Sequence, residues 1–160
     1  MVRDGRGGSE ASEKRSRFLS PERAEVLFLF GKQQSPMARS LGLSKVLVFD
    51  YGDGITFEVD KHELRPGFKT LLERQAEMLN AHFRDLDIYV CGHTDSSGNT
   101  NHNLALSLAR ARTVADDLAR LGVPRTRLKI QGFGSAFPVA GNDTAEGRAL
   151  NRRTEIVLPQ

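Results

Sequence analysis

The stretch Cys91-Gly92-His93-Thr94-Asp95, followed by the run from Asn103 to Ala111, places one acid and one Arg where they could grip a zwitterion. An Arg takes a carboxylate bidentately and a carboxylate accepts from an ammonium. Asp95 on a strand-ending turn and Arg110 on the helix that follows therefore suit a ligand carrying both groups. At 100° per residue, Asn103, Ser107 and Arg110 fall on one helical face, beside an apolar stripe of Leu104, Leu108, Ala111, Ala115 and Leu118. Spacing alone leaves two readings open: the pair holds a ligand, or Asp95 caps its loop and Arg110 pairs with it. The enzymatic readings are thin. His93, Asp95 and Ser107 would make a hydrolytic triad, yet no Gly-x-Ser-x-Gly surrounds Ser107. His93, Asp95 and His102 match no usual metal spacing. No catalytic residue, metal or cofactor is assigned, and His93 is expected to brace the turn through its ring nitrogens.

These residues need a scaffold, and 160 residues with 39% hydrophobic content suffice for one cored domain with an appendage. The 23 basic and 20 acidic side chains are spread without a long basic block, so nucleic acid is not a demanded partner. No apolar run approaches the roughly 20 residues that span a bilayer. The first residues, Met1 to Gly8, lack the apolar region of a secretory signal. The lone Cys91, in an apolar run before a turn, reads as a small strand residue.

Residues 1–18 are charged and rich in Gly and Ser and read as a disordered arm. Residues 19–44 read as a helix and linker. Ser20 is the expected N-cap, Pro21 opens the first turn, and Gly31 is the stop. The helix carries the apolar run Val26 to Phe30, which packs on a core or meets a partner protein. From residue 45 to 160 the pattern predicts strands over 45–51 and 55–57, joined as a hairpin by Gly52-Asp53-Gly54. A helix from Pro66 follows, with Phe68, Leu72, Leu79 and Phe83 on one face. The remaining expectations are a strand over 86–90, a helix from Asn103 to Leu121, a strand over 127–131, a short turn at Glu146-Gly147-Arg148 and a last strand over 154–158. Strands alternating with amphipathic helices predict an α/β (α+β) two-layer sandwich, one mixed sheet with helices packed on one face.

Gly92-His93-Thr94-Asp95, Asn103, Leu106-Ser107, Arg110-Ala111, Gly132-Phe133-Gly134, Pro138, Asn142 and Gly147 to Arg153, in that order, resemble the OmpA-like peptidoglycan-binding domain. The resemblance runs from about Val46 to Leu158. It implies non-covalent binding of the diaminopimelate stem of peptidoglycan, without cutting it. Asp95 would take the side-chain ammonium of diaminopimelate and Arg110 its carboxylate. Thr94 and Asn103 match positions that hold the ligand or the loop, Asp60 a polar position at the end of a core strand, and Arg152 a further ligand-side contact. The implied location is the periplasm, at the cell wall and linked to the outer membrane, which requires export although Met1 to Arg17 show no leader. The alternative within the family is an adaptor or motor anchor whose main partner is an envelope protein, engaged through Val26 to Phe30.

Overall fold

A computed structural model describes residues 31–32, 42, 46–52, 56–57 and 62–159. The arm expected over 1–18 and the helix expected from Ser20, with its apolar run, lie outside the described residues. The elements in chain order are β1 (Gly31–Lys32), β2 (Val46–Gly52), α1 (Pro66–His82), β3 (Ile88–His93), α2 (Thr100–Arg120), a 3-10 turn at Arg125–Arg127, β4 (Leu128–Gly132), α3 (Ala145–Asn151) and β5 (Arg153–Pro159). They build one mixed sheet in the order β1-β2-β5-β3-β4. Among the described strands only β3 and β4 run parallel, and α2 is the crossover that a parallel pair requires. Among the described residues no helix is long and apolar enough to cross a membrane.

Strand alternation sorts the core. Leu47, Phe49, Tyr51, Ile88, Val90, Ile156 and Leu158 face one way and pack on Phe68, Leu72 and Leu79 of α1 and on Ala111, Val114 and Leu118 of α2. The expected stripe of α1 is thus its buried face. Tyr51 meets Phe68 edge-on at 5.0 Å and donates its hydroxyl to Gln75 Oε1 at 2.6 Å, so the buried phenol has its acceptor.

Two expectations need correction. Among the described residues no hairpin returns along β2 through 56–57: β2 pairs along its full length with β5, from Val46 opposite Pro159 to Gly52 opposite Arg153, and near its middle with β1. Residues 53–55 lie outside the described residues, and Phe57 instead makes a single antiparallel bridge with Leu64. A three-residue return strand offers few ladder bonds, whereas the chain's last strand matches all seven residues of β2. The turn expected at Glu146 is a helix, α3, capped by Thr144, whose Oγ1 accepts from Gly147 N–H at 3.0 Å.

The opposite sheet face holds Val46, Val48, Cys91 and Val157, all buried, and at one end a buried polar group, His93, Arg153 and Glu155. Arg153 Nε donates to Glu155 Oε2 at 2.9 Å, and His93 Nε2 stands 3.6 Å from Glu155 Oε1, too far for a hydrogen bond. Burial alone would raise the Glu155 carboxyl, but His93 and the Arg153 guanidinium outweigh it and hold the group at about 2. Burial pushes His93 below its ordinary value of 6.5. Both groups take protons more readily in the unfolded chain, so stability is full above about pH 6.5 and falls as pH drops. The Glu155 share is lost between about 4.5 and about 2. Thermal unfolding midpoints measured from pH 7 to pH 2 are expected to fall, most steeply below pH 4.5, and Glu155→Gln should flatten that lower limb. A profile of Glu155→Gln parallel to the parent's would remove Glu155 from this role.

Candidate functional site

The site is assembled at the carboxyl end of β3, where α2 lies unusually close to the sheet. A Cβ added to Gly92 would sit 2.1 Å from the backbone oxygen of Ser107, and one added to Gly132 would sit 2.6 Å from Leu108 backbone atoms. Only glycine at both positions allows this approach. The contact is then locked by hydrogen bonds: Ser107 Oγ donates to Leu104 O and accepts from Gly134 N–H, both at 2.9 Å. Thr94 N–H donates to Gly134 O at 2.8 Å and Phe133 N–H to Gly92 O at 3.0 Å. Helix α2 begins at Thr100, three residues before the expected start. Asn99 caps it, accepting from His102 N–H at 3.0 Å, and places Asn103 in the first turn.

The loop after β3 presents Asp95, which is buried. One carboxylate oxygen accepts from Ser97 N–H at 2.8 Å and the other from Arg152 Nη1 at 2.7 Å. Burial would raise this carboxyl, yet the Ser97 amide and the Arg152 guanidinium together hold it below the ordinary carboxylate value, so it is an anion at neutral pH. Asn103 Nδ2 donates to Ser97 O at 2.8 Å, tying the loop to α2. Thr94 Oγ1 donates to Asp95 O at 2.8 Å and is spent on the turn.

Arg110 lies on the same buried face of α2 as Asn103 and Ser107 and is 4% exposed. Its guanidinium carbon stacks 4.8 Å above the centre of the Phe57 ring. Seven residues separate it from Asn103, about 10 Å along the axis, and helix side chains lean toward the N-terminus, here the Asp95 end. The structure therefore gathers Thr94, Asp95, Asn103 and Arg152 around one loop and sets Arg110 behind them on the same helix face. Asp60, the remaining expected residue, lies outside the described residues. The ion pair that spacing left open between Asp95 and Arg110 is made instead by Arg152, the residue between α3 and β5.

Three residues of this neighbourhood carried no functional expectation: Ser97, Asn142 and Phe57. Ser97 is visible only as part of a polar loop, Asn142 only as one residue of a motif, and Phe57 as a strand residue. His93 does not brace the turn. Its ring stacks on Phe133 at 5.6 Å on the face away from α2, and among the described residues neither ring nitrogen has a hydrogen-bond partner. Ser107 is engaged with backbone, and His102 sits exposed on α2, so neither triad nor metal set converges. A second concavity of about 360 Å³, lined by Glu63, Lys69, Asp116, Asp117 and Arg120 among others, lies farther along α2. Three of its charges are paired, Arg120 with Asp117 at 2.9 Å and Asp116 with Arg125 at 2.8 Å.

A mixed sheet with helices on one face and a charged polar loop where α2 meets β3 defines a two-layer α/β binding module. The model of the OmpA family matches residues 56–152, and the chain belongs to that family. It is 36% identical over 145 residues to YfiB of Escherichia coli (strain K12), covering 88% of this chain and 82% of that protein. It is 41% identical over 107 residues to the peptidoglycan-binding protein ArfA of Mycobacterium bovis, covering 67% of this chain but 32% of ArfA. Among solved structures, the cell wall anchor of the T6SS from Pseudomonas aeruginosa superimposes with a TM-score of 0.65 at 30% identity, over 78% of this chain and 98% of that one.

Proposed function

We propose that residues 45–160 form a non-catalytic module that binds diaminopimelate-containing peptidoglycan and anchors an envelope component to the cell wall, in the periplasm. The observation that carries this reading is the Asp95 carboxylate, held ionised by Ser97 and Arg152 at the mouth of the β3–α2 loop. Asn103 ties the Asp95 loop to the helix face that also carries the buried Arg110. The free end of a diaminopimelate side chain bears an ammonium and a carboxylate on one carbon. Asp95 receives the ammonium, Arg110 and Arg152 take the carboxylate, and Thr94, Asn103 and Asp60 hold loop and ligand. Membership of a family that includes a peptidoglycan-binding protein and a cell wall anchor supports the ligand class. A single zwitterion held by two charged contacts gives modest affinity, and a wall that repeats its stem peptide converts modest affinity into firm anchoring.

The test compares walls. Purified protein is expected to pellet with diaminopimelate-type sacculi and to bind lysine-type sacculi at least about tenfold less well, because Lys lacks the second carboxylate and one charge-assisted hydrogen bond is worth about 1.5–3 kcal/mol. Equal binding to both wall types would take the carboxylate, and with it Arg110, out of the recognition scheme.

A further inference from the structure

The Asp95 loop is held on two sides, and the second side belongs to no contact expected of the ligand. From α2 comes Asn103, through Ser97 O. From the opposite side comes Asn142, whose Oδ1 accepts from Ser96 N–H at 3.3 Å. Asn142 is itself fixed at both ends. Its backbone oxygen accepts from Arg148 Nη1 at 3.0 Å, and its Oδ1 also accepts from Asn151 Nδ2 at 2.9 Å. Asn151, at the end of α3, is fully buried and spends its amide on this loop alone: Oδ1 accepts from Val139 N–H at 2.7 Å and Ala140 N–H at 3.0 Å, and Nδ2 donates also to Ala140 O at 2.9 Å. The loop is pressed onto α3 as well. A Cβ on Gly147 would lie 1.8 Å from Gly141 O, so the close approach depends on that glycine. The next residue after Asn151 is Arg152, which holds the other side of Asp95.

We infer that Asn142 and Asn151 are positioning residues for the Asp95 carboxylate that receives the ligand ammonium: Asn151 sets the 139–142 loop, and Asn142 passes that placement to the Ser96–Ser97 backbone that fixes Asp95. A carboxylate aimed at an ammonium loses strength steeply when its loop is free to drift, because preorganisation sets how much of the contact survives as affinity. The inference rests on the diaminopimelate reading for its consequence in binding, but not for its consequence in the free protein.

Chemistry separates the two asparagines. Asn142 uses only its oxygen as acceptor, so Asn142→Asp keeps both contacts, whereas Asn142→Ala removes them. Asn151 uses oxygen and nitrogen, so Asn151→Asp turns two donated bonds into oxygen–oxygen repulsions. The measurement is residue-resolved amide hydrogen exchange of the free protein by NMR, followed by titration with a diaminopimelate-containing tripeptide. Asn142→Ala is expected to speed exchange at Ser96 and Ser97 by roughly tenfold and to weaken tripeptide binding about fivefold or more, with exchange at Val90 in the core unchanged. Asn142→Asp should restore both to within about twofold of the parent. Asn151→Asp should loosen 139–142 and the Asp95 loop together. The inference is overturned if Asn142→Ala leaves Ser96 exchange at the parental rate, or if Asn142→Asp fails to restore it. A parent protein that binds no tripeptide refutes the function proposed above instead, while the exchange data still decide the coupling.

Discussion

Asp95→Ala and Arg110→Ala are each expected to abolish co-sedimentation with diaminopimelate-type sacculi while leaving a folded chain. A charge-assisted hydrogen bond contributes about 1.5–3 kcal/mol, so loss of either partner lowers single-site affinity by roughly ten- to a hundredfold. Anchoring by repeated weak contacts amplifies that loss. The two variants disturb the fold differently. Asp95→Ala also strips an acceptor from Ser97 N–H and a counter-ion from Arg152, whereas Asp95→Asn keeps an acceptor for Ser97 but loses the charge and turns its amide nitrogen, a donor, toward Arg152. If Asn at this position binds as poorly as Ala, the missing term is the carboxylate charge shared by Arg152 and the ligand ammonium rather than the Ser97 contact. Arg110→Ala empties a buried place above Phe57, while Arg110→Lys keeps a cation but loses the planar fork. The expected order of binding is parent, then Lys, then Ala. Variants with parental circular dichroism that still pellet like the parent would show that the wall is held elsewhere.

The second large effect concerns a residue that touches no ligand. Gly92→Ala puts a Cβ 2.1 Å from a backbone oxygen of α2, and a helix backbone has no rotamer by which to yield. Overpacking costs typically 1–3 kcal/mol and sometimes more, and this clash belongs at or above the upper end. Out of a typical stability of about 5–15 kcal/mol, such a loss lowers the unfolding midpoint on the order of 10 °C. The folded fraction must carry α2 lifted from β3, which moves Asn103 and Arg110 away from the Asp95 loop and weakens binding beyond the loss of folded protein. Gly67→Ala is the control. An added Cβ there meets nothing within 4 Å in the first turn of α1, so a gain of up to about 1 kcal/mol is expected from helix propensity. Equal midpoints for the two variants would mean that the approach of α2 to the sheet is not held by Gly92.

Much of the architecture is legible along the chain because it is local. The Phe68, Leu72, Leu79, Phe83 spacing predicts α1 and its buried face, and Pro66 its start. β-branched runs predict β2, β3 and β5 within a few residues. The start of α2 is misjudged because the apolar stripe begins after the capping turn, although Asn99 two positions before the Asn at 101 was a readable N-cap. Helix α3 is hidden because its seven residues bury little, only Gly147 and Asn151, and so show no periodic stripe.

The candidate site divides the same way. Residue types and the helical period placed Asn103, Ser107 and Arg110 on one face, and the turn after β3 placed Asp95. That much the sequence determined by itself, since periodicity and turn chemistry depend on neighbours a few positions away. Tertiary structure decided the partners. Residue 95 meets residue 152, 57 positions distant, because the last strand enters the middle of the sheet between β2 and β3 rather than adding to an edge. That insertion places Arg152 beside Asp95. Asn142 reaches Ser96 only because glycine at 147 lets the 139–142 loop lie against α3. Close approach and strand order are properties of packed backbones, which no local period encodes.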